Sequence, residues 1–136
     1  MRSKAIIGVF IVSIAVFLNC SPPIHMPEPF RPKEISAYPF ISPPDKIAVI
    51  QSRYKEILKG MTAAQVKSIL GEPDEVKPTF EPRIWNAKQT GYLYIYVTRR
   101  LVKNGSVNER QESLIRVTFD FNGLVVKVHQ WGRGSA

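Results

Sequence analysis

The spacing of apolar residues changes once along this chain, from three or four to two. That change dictates helices first and strands after. From Ile47 the apolar positions run Ile47, Ile50, Tyr54, Ile57 and Leu58, the stripe of a helix with one face against a core. Asp45 stands where it can cap that helix or charge its first turn. Gly60 breaks the pattern, and Thr62-Ala63-Ala64-Gln65 then has the spacing of a capping box, in which hydroxyl and amide side chains satisfy each other's backbone N–H groups. Val66, Ile69 and Leu70 face inward, Gly71 suits a left-handed residue after the last turn, and Pro73 prevents continuation. The pattern predicts two short helices, near 45–58 and 63–70.

Glu72 to Pro82 is polar and contains prolines, so Asp74 and Glu75 read as solvated turn carboxylates. After a Lys88-Gln89-Thr90-Gly91 interruption the chain alternates, in Tyr92 to Val97 and again in Ile115 to Phe121. Leu124 to Trp131 follows across Asn122-Gly123, a strong hairpin signal because both turn positions favour positive φ. A two-residue loop there sets Phe121 opposite Leu124, Phe119 opposite Val126 and Val117 opposite Val128, all apolar. Arg83 to Ala87 is a candidate for a short extra strand, and a charged loop around Asn104-Gly105 joins the first long strand to the second. The expected fold is α+β: two helices packed on a three- or four-stranded antiparallel sheet, a two-layer sandwich.

The chain opens with Arg2 and Lys4, then the uncharged run Ala5 to Leu18 and Cys20. The run matches a secretory signal and is shorter than the roughly 20 residues of a membrane span. Phe17-Leu18-Asn19-Cys20 resembles a bacterial lipobox, so residues 1–19 read as a lipoprotein signal peptide and Cys20, the single cysteine, as the lipidation site. Covalent lipid on Cys20 is then the one attached group expected. No cysteine remains for a disulfide, and the core alone must hold the fold. Eight of the 11 prolines lie between Pro22 and Pro44. Residues 20–44 therefore read as a semi-rigid spacer of roughly 3 Å per residue, although Tyr38, Phe40 and Ile41 could dock it onto the domain. The domain spans 45–132 and a tail 133–136.

The whole chain carries a net charge of +8; without Arg2 and Lys4 there remain 17 basic and 11 acidic residues, or +6. In an exported protein such a balance favours acidic lipid head groups, anionic glycans or acidic protein surfaces over nucleic acid.

Gly60-Met61-Thr62, Gln65-Val66, Ile69-Leu70-Gly71 and Pro73 are similar to the "GMT..QV...LG.P" signature of the SmpA/OmlA (BamE-like) outer-membrane lipoproteins. Val117, Phe119-Asp120, Gly123 and Val125 resemble that family's "V.FD..G.V" hairpin, and the likeness runs from about Ile57 to Val128. It implies a scaffold or accessory factor in outer-membrane β-barrel assembly or envelope integrity. Such a factor would be anchored at the periplasmic side of the outer membrane, with assembly proteins or other envelope proteins as partners.

Catalytic chemistry finds no support. His25 and His129 lack a second ligand at metal spacing, and Ser135 lies in the tail. No enzyme activity, metal, nucleic acid or small-molecule substrate is expected. If Leu93, Ile95 and Val97 face the helices, then Tyr92, Tyr94 and Tyr96 point away. They would join Arg116, Thr118, Lys127, His129 and Trp131 on one exposed face, with Arg116 opposite His129. Mixed aromatic and basic residues suit a partner-binding surface, while tyrosines that merely shield their cross-strand neighbours would give the same pattern. Arg99 and Arg100 either extend that patch or end a solvated strand. The alternative function is a periplasmic inhibitor of a hydrolase on a similar scaffold, with its determinants in the Asn104 loop or the Asn122-Gly123 turn.

Overall fold

A computed structural model describes residues 30–82, 85–103 and 112–132. The signal segment, Cys20, His25, the Asn104-Gly105 loop and the 133–136 tail lie outside them. In chain order the elements are β1 (Phe40–Ile41), α1 (Pro44–Arg53), a 3₁₀ turn at Tyr54–Glu56 and α2 (Ala63–Leu70). The strands β2 (Glu75–Phe80), β3 (Gln89–Arg100), β4 (Glu112–Asp120) and β5 (Val125–Trp131) follow.

The second helix begins as its residues require. The Thr62 hydroxyl accepts from the Gln65 N–H at 3.2 Å, and the Gln65 side-chain Oε1 accepts from the Thr62 N–H at 2.9 Å. Gly71 ends the helix at φ 81°. The first helix is shorter than its stripe. Pro44 holds the first turn with no side-chain cap, Asp45 charges that turn, and the chain leaves α-helical geometry at Tyr54. Ile50 and Ile57 remain buried while Leu58 is exposed.

The α+β expectation holds: two helices lie on an antiparallel sheet, here of five strands. The fourth long strand is β2; of the segment Arg83 to Ala87, residues 83 and 84 lie outside the described residues and 85–87 are not in a strand. Glu75 to Phe80 pairs with β3 from Ile95 to Gln89, so the polar stretch is a strand, and β3 starts inside the supposed interruption. Gly91 is needed there, because a Cβ would lie 1.9 Å from the Phe119 carbonyl oxygen across the β3–β4 pair.

The β4–β5 hairpin sits where Asn-Gly predicts, with a longer loop. Asp120 caps it: its Oδ1 accepts from the N–H groups of Asn122 at 2.9 Å and Leu124 at 3.0 Å. Three loop residues replace two, so Phe119 pairs with Val125 and Val126 becomes a bulge. The bulge restores the expected register at Val117 with Val128, but Phe121 sits exposed at the tip.

The largest departure is residues 30–44. Phe30 is 4% exposed and stacks on Tyr92 with ring centroids 4.4 Å apart. Lys33 pairs with Val76 on the edge of β2, and β1 pairs with the end of β3. The packed domain therefore starts at Phe30, and Phe30 to Ile41 forms a strap around the sheet edge. Burial of Phe30 against three aromatic rings outweighs the extended freedom its prolines would otherwise confer.

Candidate functional site

The helices cover one sheet face, and register fixes which residues it holds. Tyr92, Tyr94 and Tyr96 pair with Phe119, Val117 and Ile115, and all six are buried. The three tyrosines thus belong to the core beneath the helices and not to the exposed face expected of them. Both side-chain sets of β3 are apolar, so its alternation does not say which points inward. The alternation of β4 does, because only Ile115, Val117 and Phe119 form an apolar row. The Tyr96 hydroxyl donates to the Gly71 carbonyl at 3.0 Å, tying the sheet to the end of α2. Burial, followed by the nearby Glu72 charge for Tyr94 and the Tyr94 charge for Tyr96, raises both phenol pKa values well above the ordinary tyrosine range.

The other face carries Leu93, Ile95 and Val97 from β3, Leu114, Arg116 and Thr118 from β4, and Lys127, His129 and Trp131 from β5. Arg116 stands opposite His129, as expected. Part of this face is closed. Ile35 and Phe40 of the strap pack on Ile95, Val97 and Leu114, and Trp131 packs at the margin of that cluster. The rest is open: Lys127 and His129 are exposed, Arg116 and Trp131 half-buried. The rings of His129 and Trp131 lie 6.4 Å apart.

Between strap and sheet runs an ion network that the sequence did not reveal. Arg100 donates from Nη1 to Glu75 Oε1 at 2.8 Å and from Nε to Glu112 Oε1 at 2.7 Å. Burial alone would lower the arginine pKa. Hydrogen bonds to Glu75, Tyr38 and Glu112, with the Glu75 charge, outweigh it and drive the value up. Arg100 is thus neither an extension of the exposed patch nor a solvated strand end, and Glu75, 1% exposed, is no solvated turn carboxylate. Asp74 is structural too: its Oδ2 accepts from the Val97 N–H at 2.8 Å. No local signal could have shown this, since the three network residues come from three separate strands.

Beside the network a cavity of about 380 Å³ opens onto the same face, lined by Glu75, Lys77, Arg100, Lys103, Glu112 and Arg116 over Leu93 and Ile95. Arg116 Nε and Trp131 Nε1 are buried and make no hydrogen bond among the described residues, and Glu75 Oε2 lies 3.7 Å from Lys77 Nζ. Cationic donors beside an exposed histidine and an indole edge equip this surface to hold acidic and aromatic groups of a partner.

The fold and this face define a small α+β scaffold with one sheet face packed and the other partly open. Residues 48–129 match the outer membrane protein assembly factor BamE domain. The match spans more than half of the chain, which belongs to this family, and the resemblance read from Gly60 to Pro73 and from the hairpin is borne out. The family is one of non-enzymatic accessory lipoproteins of the envelope. A solved structure of an osmotically inducible lipoprotein, OsmE, is similar at 22% identity and a TM-score of 0.40, covering 66% of this chain and 88% of that one. Among curated proteins none matches.

Proposed function

We propose that this protein is a non-catalytic accessory factor for outer-membrane protein assembly, tethered through lipid on Cys20 and working by binding. The observation that carries the reading is the BamE-domain match over 48–129. Arg116, Lys127, His129 and Trp131 form the recognition surface for an envelope protein with acidic side chains. Tyr92, Tyr94 and Tyr96 support that surface from behind and do not touch the partner. The tether is shorter than the proline content suggests. Nine residues lie between Cys20 and packed Phe30, a reach of at most about 35 Å fully extended. Holding the domain this close to the membrane raises its effective concentration at any partner seated there.

The test is purification of the tagged, acylated protein from its own envelope in gentle detergent, with mass spectrometry of what accompanies it. Recovery of barrel-assembly subunits is expected. Recovery of a single soluble hydrolase would replace this function with inhibition on the same fold.

A further inference from the structure

The two ends of the sheet differ in what they expose. The β2–β3 and β4–β5 connections lie at one end, because Phe80 pairs with Gln89 at the start of β3 and Gly91 pairs with Asp120 at the end of β4. At that end stand Phe80, Trp85 and Phe121, which are 55%, 84% and 62% exposed. They are the large exposed aromatics among the described residues. Lys59 and Lys88 are exposed there as well: Gly60, next to Lys59, donates to the Val125 carbonyl, and Lys88 accepts from Glu81 through its backbone. The Asp120 carboxylate is turned back onto its own loop amides. Among the described residues, the large apolar side chains exposed at the opposite end are aliphatic, Ile41, Leu101 and Val102, with Lys103 exposed beside them.

The chain toward Cys20 leaves from the aromatic end. Phe30 sits against Tyr92 and Phe119, and a Cβ on Gly123 would touch its ring at 3.4 Å. From there the strap runs antiparallel to β2 and reaches Arg100, at the far end of β3, only by Phe40.

We propose that this end is a membrane-contact surface, with Phe80, Trp85 and Phe121 seated in the head-group region of the bilayer that holds the Cys20 lipid. Aromatic side chains partition to that layer, and flanking lysines favour its anionic lipids. The nine residues between Cys20 and Phe30 allow this end to rest on the surface, and the tether enters the domain here and not at the opposite end. The inference rests on the anchor proposed above, and the test separates the two.

Acylated full-length protein is reconstituted into vesicles of phosphatidylethanolamine and phosphatidylglycerol whose acyl chains carry bromine near the head group. Tryptophan emission is compared between wild type and Trp85→Phe. Seating in the bilayer should blue-shift the wild-type emission and bromine should dim it; most of that quenching should vanish in Trp85→Phe, and Phe80→Ser with Phe121→Ser should lessen it. Equal quenching in wild type and Trp85→Phe, or none in either, overturns the proposal. The mass of the N-terminal peptide reports acylation independently. An unacylated chain whose Trp85 is still quenched on added vesicles removes the anchor and keeps the contact.

Discussion

The two faces of one sheet, built from alternating residues of the same strands, have opposite physical characters. The helix-side face is dry and aromatic: Phe30, Tyr92, Tyr94 and Phe119 pack edge to face or stacked beneath Ile50, Val66 and Leu70. The other face holds a small apolar patch and a buried ion network under the strap, then opens into Arg116, Lys127 and His129. One face secures the fold. The other keeps charge near the surface, where it can meet a partner without dismantling the core. Under the function proposed above, the two-residue period of a strand is what separates stability from recognition in so small a chain.

The sharpest way to break that comparison is to remove what the helix side buries. Tyr94→Ala with Tyr96→Ala deletes two fully buried rings, each worth about 3–5 kcal/mol, against a total stability on the order of 5–15 kcal/mol. Circular dichroism should report an unfolded chain. Retained structure would return the tyrosines to the interface role. Next in size is Arg100→Met, which removes the cation shared by the buried Glu75 and Glu112 carboxylates and should cost about 3–5 kcal/mol in urea unfolding. A loss below 1 kcal/mol would mean that the network is open to water.

Phe30→Ala tests whether the strap belongs to the domain. It should destabilise by about 3 kcal/mol and raise amide exchange at Lys33 and Val76, whose backbones pair at 3.1 and 2.9 Å. An unaltered melting temperature would restore a free spacer. The smallest effect concerns pH. Tyr94 and Tyr96 have phenol pKa values raised by burial from the ordinary 10.0. Below pH 10 both are protonated whether folded or unfolded, and their stabilising contribution is complete. Above it the unfolded chain releases protons that the folded chain retains. Stability should then fall by at most about 1.4 kcal/mol per pH unit per tyrosine. Tyr96→Phe should flatten that alkaline limb in thermal melts, and an unchanged slope would exclude Tyr96 as its source.

How far the sequence reveals each region follows from the range of the interactions. The capping box at Thr62 and Gln65 was legible because three residues hold all of it. The hairpin was legible in place but not in length, since the Asp120 side chain, outside the Asn-Gly pair, sets the loop. The site was legible on β5 and β4, where Arg116, Lys127, His129 and Trp131 alternate against an apolar row. On β3 it was not, because both sets are apolar and a neighbouring strand decides between them. The strap left even less trace, since isolated Phe30, Ile35 and Phe40 dock without any period among prolines.

The central claim is that the open face binds and the packed face does not. Lys127→Glu with His129→Ala alters two exposed side chains, and such changes shift stability by no more than about 0.5 kcal/mol. Envelope proteins co-purifying with this acylated variant and with wild type should be compared at matched folding, measured by melting temperature. The account predicts that the barrel-assembly subunits recovered with wild type are lost from the variant while its melting temperature stays unchanged. Equal recovery from both would contradict it.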